Sequence, residues 1–244
     1  MSTTALPAIN AGNTLYFLPL LSIAEHPTLS VVQRERIYRT MIELFVCAHF
    51  GQAQDIYASE RLTRSRQWRS TRDYGDIILQ TNALKTAGPT KAIAAVACII
   101  ADVDAATMAA CMRFAETVGV AYQTIDDVNN FDGAAQFGKT VGEDLAEGKL
   151  TQIIHCALHK LDFDDAERLW RILSNPYLRA RPDMQAEGCK LVRKSGALTA
   201  CRVDAHRAVE EAWRDISRYL PPTRPKLMLR LLIAKLLSSR ELGN

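Results

Sequence analysis

Apolar residues recur along most of the chain at intervals of three and four, the spacing that gathers them on one face of a helix. The clearest stripe contains Ile37, Met41, Leu44 and Phe45. No segment alternates apolar and polar residues in the manner of a strand, and no internal repeat is visible. The pattern therefore predicts an all-α protein, folded as a single bundle of about nine or ten helices.

Polar and glycine-rich breaks delimit the predicted helices. Ser30 and Gln33 have the spacing of a capping box, which marks the start of a helix. A Gly-Pro dipeptide at residues 88–89 is typical of a break between two helices. An Asp-Gly dipeptide at 132–133 ends a long helix and opens a glycine-rich loop over 133–148. The predicted helices span about residues 11–25, 30–48, 73–86, 90–101, 105–131, 149–160, 164–173, 183–192, 198–219 and 226–239.

The composition is that of an ordinary globular protein. The chain has 244 residues, of which 48% are hydrophobic, and this suffices for one core and one domain over residues 1–244. The net charge of +3 comes without a dense basic stripe, so we expect no nucleic-acid binding. The 6 cysteines lack C-x-x-C or zinc-ligand spacing and are interpreted as reduced thiols of a cytoplasmic protein. We expect neither a signal peptide nor a membrane span, because no stretch approaches about 20 apolar residues.

The most informative polar residues lie in the segment 119–132, GVAYQTIDDVNNFD. On a helix, Gln123, Asp126 and Asn130 share one face, and Asp127 pairs with Asn130 three residues later. Adjacent carboxylates in an apolar helix are costly to bury unless a charge neutralises them. Mg²⁺ binds through one or two carboxylates together with phosphate oxygens and water. The sequence therefore predicts a magnesium site formed by Asp126, Asp127 and Asn130.

Two lysines follow glycines in the loop after this segment. Lys139 and Lys149 each follow a glycine, and a flexible backbone there suits ammonium groups that turn toward an anion. Carboxylates that hold a metal, with lysines nearby, are typical of a diphosphate site. The alternative is a surface Asp pair near a helix end with two solvated lysines, and spacing alone leaves both interpretations open.

These segments resemble the trans-isoprenyl diphosphate synthases, also called the polyprenyl synthetase family. Residues 119–132 and 138–151 are similar to its second aspartate-rich motif and the following loop, GxAxQxxDDxxD and GKxxGxDLxEGKxT. Three shorter segments and one residue are similar too: AINAGN at 8–13 to the helix start after the first aspartate-rich motif, HFGQAQDI at 49–56 to GQxxDI, YGDIILQTNAL at 74–84 to Y…KTxxL, and Arg240 to a C-terminal arginine. The resemblance stays in register from about Ala8 to Lys160.

The resemblance implies an N-terminally shortened helical bundle of the isoprenoid synthase type. It also implies Mg²⁺-dependent prenyl transfer, in which an allylic diphosphate condenses with isopentenyl diphosphate, in a homodimer or in a heterodimer with a related synthase. By position, the catalytic residues are Asp126, Asp127, Lys139 and Lys149. The residues implied to bind the substrate diphosphate are Gln123, Thr81, Lys139, Lys149, Gln52 and Asp55.

Three departures from the family pattern matter. Asn130 replaces the final acid of the second motif, and its amide oxygen still accepts. Gln80 replaces the lysine before Thr81, which removes a charge-assisted contact worth roughly 1.5–3 kcal/mol. Lys85, five residues further on, is expected to point off that face. No DDxxD precedes Ala8, so we expect this chain alone to lose a factor of about 10³ or more in rate.

Several interpretations of these departures remain. The chain is a truncated form of a complete enzyme, a non-catalytic partner subunit of a heteromeric synthase, or a branch that has diverged toward another class I terpenoid reaction. The retained acids and lysines speak against a purely structural subunit, whereas Gln80 and the absent first motif favour it. A basic amphipathic segment at 226–240 also suits a membrane surface, although such a stripe more often packs in a core.

Overall fold

The computed structural model describes residues 5–63, 74–132 and 141–238, and all regular structure within these ranges is helical. The prediction of an all-α fold is confirmed. The elements are α1 (Ala5–Glu25), α2 (Val31–Thr63), α3 (Tyr74–Asn82), a π-helical segment (Ala83–Ala87), α4 (Gly88–Ile100), α5 (Ala105–Asp132), α6 (Glu143–Glu147), α7 (Gln152–Lys160), α8 (Phe163–Ser174), α9 (Pro176–Arg179), α10 (Pro182–Lys194), α11 (Ala197–Ile216) and α12 (Arg224–Leu237).

The long helix α5 forms the centre of the bundle and packs most extensively against α11 and α4. Its first half contributes Phe114 and Val118 to a core that includes buried residues of α11 and α12. Its second half contributes Val128 and Phe131 to a core that includes α7, α8 and α10. Because apolar side chains are buried along both halves, the rotation of α5 about its axis is set. That rotation decides where its polar residues point.

The predicted capping box forms at the start of α2. The Ser30 backbone N–H donates to Gln33 Oε1 at 3.0 Å, and the Gln33 N–H donates to Ser30 Oγ at 3.2 Å. Gln33 Nε2 also donates to the carbonyl oxygen of Ile99 at 3.1 Å. One side chain therefore both caps α2 and ties it to the end of α4.

The Gly-Pro dipeptide at 88–89 does not separate two helices, so that prediction is wrong. The π-helical segment connects α3 directly to α4, and Pro89 lies in the first turn of α4. A π-helical turn absorbs an extra residue. In the first turn of an α-helix the backbone N–H groups have no α-helical acceptor. A proline there, which has no N–H, therefore loses no hydrogen bond. The helix therefore continues through a dipeptide that would interrupt a regular α-helix.

Two glycines allow the π-helical segment to approach its neighbours. A Cβ atom on Gly51 of α2 would lie 2.7 Å from the backbone nitrogen of Lys85. A Cβ atom on Gly119 of α5 would lie 2.6 Å from the Cα atom of Ala87. Both distances are shorter than real Cβ contacts, so only glycine permits this spacing. The segment is therefore held closely between α2 and α5.

The helical stretch Tyr74–Ile100 is long and apolar enough to cross a membrane by length and composition alone, and 28% of its apolar window is buried. A core helix of a soluble protein passes the same test, so this is weak evidence. The expectation of no membrane span stays a prediction. Elsewhere, α1 and α2 expose large apolar side chains, among them Leu15, Phe17, Val46 and Phe50.

We predict that Gly119→Ala destabilises the protein by about 1–3 kcal/mol, because the new methyl group would overlap the backbone of Ala87 and the hydroxyl of Thr90. Urea denaturation followed by circular dichroism measures the change. Gly12→Ala is the matched control, since nothing lies within 4 Å of its Cβ position. There, alanine should leave stability unchanged or raise it by up to about 1 kcal/mol. Equal effects of the two substitutions would contradict the close packing at Gly119.

Candidate functional site

A cavity of about 80 Å³ lies among α2, α3, the π-helical segment, α5 and the residues after α6. The predicted site residues Asp55, Thr81, Gln123, Asp127 and Lys149 all line it. They come from four separate stretches of the chain. Asn82, Lys85, Asp144 and Thr151 line the same cavity. The tertiary structure therefore brings together most of the described residues that the resemblance implied.

Asp127 is the buried acid of the cavity, with 6% of its surface exposed. Gln123 Nε2 donates to Asp127 Oδ1 at 2.8 Å, and Thr86 Oγ1 donates to Gln123 Oε1 at 2.8 Å. The threonine donor fixes the Gln123 amide so that its NH₂ group faces the carboxylate. Thr86 belongs to the π-helical segment, so this chain of hydrogen bonds links that segment to α5.

The pKa of Asp127 is raised from its ordinary 3.8 to about 7. Burial is the main cause, because a carboxylate loses its hydration inside the protein. The hydrogen bond from Gln123 acts in the opposite direction, whereas the charges of Asp144, Asp126 and Asp55 raise the pKa further. Three acids thus act on the buried carboxyl group of Asp127, and a bound cation would offset their negative charge.

Two lysines supply positive charge at the cavity wall. Lys85 Nζ lies 2.6 Å from Asp55 Oδ2. Lys149 forms an ion pair with Glu147, and its Nζ lies 3.8 Å from Asp144 Oδ1. Burial acts to lower the pKa of Lys149, but the hydrogen bond to Glu147 and the nearby carboxylates raise it above the usual value. Lys149 is therefore charged at neutral pH.

The short helix α6 positions Asp144 and Lys149. It is flanked by Gly142 and Gly148, whose φ angles of 79° and 75° favour glycine. Asn130 holds this turn against α5: its backbone carbonyl accepts from the Gly142 N–H at 2.9 Å, and its Oδ1 accepts from the Asp144 N–H at 3.4 Å. Gly142 and Gly148 belong to the predicted glycine-rich loop 133–148, of which residues 133–140 lie outside the described residues.

The remaining predicted site residues lie outside the cavity lining. Asp126 is half-buried on α5, Gln52 is exposed on α2, and Asn130 contacts the turn before α6. Lys139, like Arg240, lies outside the described residues. Within the described part of the chain, no three His, Cys, Asp or Glu side chains converge closely enough to hold a metal by themselves. The metal and substrate roles assigned to these residues stay predictions.

Lys85 points off the face of Gln80, as predicted. The cavity, however, lies on the side of Thr81 and Lys85, whereas Gln80 is exposed. Lys85 follows Thr81 by four residues, and residues four apart share a helix face. Sequence reasoning also gave no role to Asn82, although its i, i+3 spacing to Lys85 would have placed the two side by side.

Comparison with known proteins agrees with this geometry. Residues 3–183 match the polyprenyl synthetase family. The chain is 32% identical over 176 residues to a short chain isoprenyl diphosphate synthase of Methanocaldococcus jannaschii, a match that covers 69% of this chain and 48% of the relative. The chain therefore belongs to the polyprenyl synthetase family. It spans about half the length of the curated relatives it matches.

Solved structures share the fold. A geranylgeranyl pyrophosphate synthetase from Pyrococcus horikoshii superposes with a TM-score of 0.77 at 23% identity, over 95% of this chain and 67% of that protein. A geranylgeranyl pyrophosphate synthase from Corynebacterium glutamicum, complexed with isoprenyl diphosphate and magnesium, gives a TM-score of 0.75 at 20% identity, over 87% of this chain and 57% of that protein. The predicted isoprenoid synthase type of helical bundle is thereby confirmed.

We predict that ionisation of Asp127 lowers the unfolding free energy of the metal-free protein as pH rises from about 4 to about 7, because burial raises the pKa of this carboxyl group in the native state. Asp127→Asn should remove this loss. The variant should exceed the wild type in unfolding free energy by roughly 1–3 kcal/mol at pH 8 and match it near pH 4. Urea denaturation in the presence of EDTA provides the measurement.

Asp104 provides a control whose contribution to stability changes with pH in the opposite direction. Hydrogen bonds from Thr107 lower its pKa, so its contribution to stability is present at neutral pH and is lost as pH falls through the lowered pKa. Asp104→Ala should therefore destabilise the protein at pH 8 more than at pH 3. A stability difference between Asp127→Asn and the wild type that did not vary with pH would contradict the buried state of Asp127.

Proposed function

We propose that the cavity binds the diphosphate group of an isoprenyl diphosphate together with Mg²⁺. We further propose that the protein serves the condensation of an allylic diphosphate with isopentenyl diphosphate. The observation that carries the proposal is the buried carboxyl group of Asp127, which lies near other acids in a cavity that Lys85 and Lys149 also line. The related synthase crystallised with isoprenyl diphosphate and magnesium supports the same ligand chemistry.

The donor set suits magnesium. Carboxylate oxygens are its preferred protein ligands, and the mutual repulsion that raises the pKa of Asp127 would be relieved by a divalent cation. Since the described residues offer no complete metal site, phosphate oxygens and water would complete the coordination shell. Asp127 and Asp144 would supply ligands from the cavity wall, with Asp126 and Asn130 beside Asp127 on α5. When bound, magnesium polarises phosphate oxygens and stabilises charge on the leaving diphosphate.

The protein's own groups would orient and neutralise the substrate. Gln123 holds Asp127 in place through a hydrogen bond that Thr86 in turn directs. Lys149 follows Gly148 and is only partly buried, so its ammonium group can turn from Glu147 toward an anion. A cation bound to Asp144 would weaken the hold of that carboxylate on Lys149 and favour this turn.

A non-catalytic partner subunit is the second candidate function. The large apolar side chains exposed on α1 and α2 favour it, because surfaces of this kind mark contacts with other chains. In this case the chain would act as one half of a heterodimer with a related, active synthase.

We predict that Mg²⁺ with inorganic pyrophosphate raises the Tm of the protein, because a ligand that binds only the native state stabilises it. A ligand at 100 times its Kd should add about 2.7 kcal/mol to the unfolding free energy. Differential scanning fluorimetry measures the shift. Asp126→Ala and Lys149→Ala should each abolish it, whereas Lys91→Ala, which removes an ion pair with Glu116 away from the cavity, should retain it. A Tm unmoved in the wild type would refute the proposed ligand.

Activity distinguishes the two candidate functions. We predict that the chain alone, given Mg²⁺, geranyl diphosphate and radiolabelled isopentenyl diphosphate, forms product about 10³-fold more slowly than a related synthase that carries both aspartate-rich motifs. Product analysis by chromatography provides the measurement. For a subunit, the chain alone forms no product, and its addition to a purified related synthase changes that enzyme's rate or product length. No product and no effect on the synthase would contradict both candidates.

A further inference from the structure

We propose that Arg179, which lies outside the cavity lining, is a positioning residue that holds the turn at Gly148 and thereby directs Lys149 toward the ligand. The inference rests on the proposed function, because it concerns how one residue of that site is oriented. Arg179 ends the short helix α9, whereas Gly148 and Lys149 follow α6. Of these three residues, only Lys149 lines the cavity.

The guanidinium group of Arg179 packs against the backbone of Gly148. A Cβ atom on Gly148 would lie 2.5 Å from Arg179 Cζ, 2.6 Å from Nη1 and 2.9 Å from Nε. The group as a whole therefore covers one side of the glycine. Gly148 is buried, and its φ angle is 75°. Any side chain at this position would be strained by the backbone conformation and would also overlap Arg179.

Arg179 is itself held by the helices around it. Its Nη1 donates to the carbonyl oxygen of Leu173, near the end of α8, at 3.0 Å. Its own carbonyl oxygen accepts from Gln185 Nε2 of α10 at 2.7 Å. Burial lowers the pKa of Arg179, as expected for a guanidinium group packed between helices rather than extended into water. The contact with Gly148 therefore starts from a fixed position.

Two further close contacts hold α6 from the same side. A Cβ atom on Gly142, just before α6, would lie 2.5 Å from Cys189 Sγ. Leu145 of α6 lies so near Gly188 that a Cβ atom on that glycine would overlap it. Gly188 and Cys189 both belong to α10. The short helix is thus supported at its beginning, its middle and its end, and Arg179 supplies the last of these contacts.

This support limits the ways in which Lys149 can move. The Lys149 backbone N–H donates to the carbonyl oxygen of Asp144 at 2.9 Å, which closes the turn. The ammonium group contacts Glu147 and must leave it to reach an anion in the cavity. With Arg179 against Gly148, the backbone that carries Lys149 keeps its orientation during this movement. Without Arg179 the turn would be free to shift, and anion binding would have to order it.

Isothermal titration calorimetry of the full chain with inorganic pyrophosphate and Mg²⁺ tests the proposal. Arg179→Ala should weaken binding by about 10-fold, because the ligand must then order the turn. Arg179→Met, which keeps a long side chain against Gly148 but removes the charge, should stay within about 3-fold of the wild type. Arg168→Ala is the matched control. It removes an arginine that joins α8 to α10 through Glu187 away from the cavity lining, and it should bind as the wild type does.

Gly148→Ala separates a positioning role of Arg179 from direct binding. The new methyl group would overlap Arg179 and displace the turn, which should weaken binding by about 10-fold or more. Adding Arg179→Ala removes the overlap, so the double variant should bind about as well as Arg179→Ala alone. If Arg179 contacted the anion directly, the two losses would instead multiply.

Circular dichroism and Tm establish that each variant is folded. Should Arg179→Ala not fold, Arg179→Asn replaces it, since its side chain ends before the atoms that touch Gly148. If the wild type binds pyrophosphate and the folded variant binds equally well, Arg179 has no positioning role and the proposed function stands. If Arg179→Met loses as much affinity as Arg179→Ala, or the losses of the double variant multiply, Arg179 acts through its charge and the inference is wrong. If the wild type itself does not bind, the proposed function fails and the inference fails with it.

Discussion

The burial of the Asp127 carboxylate is the constraint on which the site depends. A charged group inside a helical bundle is tolerated only when hydrogen bonds and nearby charges support it. Here Gln123 supplies the hydrogen bond, Thr86 orients Gln123, and the neighbouring acids work against ionisation. The resulting electrostatic imbalance is unfavourable in the isolated protein and favourable for a cation. The same feature therefore weakens the fold and suits the site to its proposed ligand.

The π-helical segment Ala83–Ala87 connects this constraint to the backbone. It is packed between α2 and α5 at two glycines, and the residues one turn beyond each glycine contact its polar side chains. A π-helical turn shifts the register of the residues that follow, and such turns are frequent at functional sites. In this protein it carries Lys85 to the cavity and lets the helix continue through Pro89. The chain thereby presents Lys85 at the cavity, whereas Gln80 is exposed.

The exposed apolar surface of α1 and α2 bears on the function of the whole protein. The chain spans about half the length of its curated relatives, and these two helices leave several large side chains without cover. Apolar surface of this kind is costly in water unless another chain or segment contacts it. Both candidate functions are compatible with such a contact.

The sequence alone determined the helical class, the family and most members of the site. Apolar spacing indicated the helical class. Residues 119–132 and 138–151 indicated the family, because their motif is local in sequence and long enough to be specific. Tertiary structure alone decided which polar face meets the cavity. Asp144, Asn82 and Lys85 belong to it, whereas Gln80 and Gln52 do not. Helical periodicity gives relative directions within one helix, but the rotation of each helix and the π-helical shift follow from packing between helices distant in sequence.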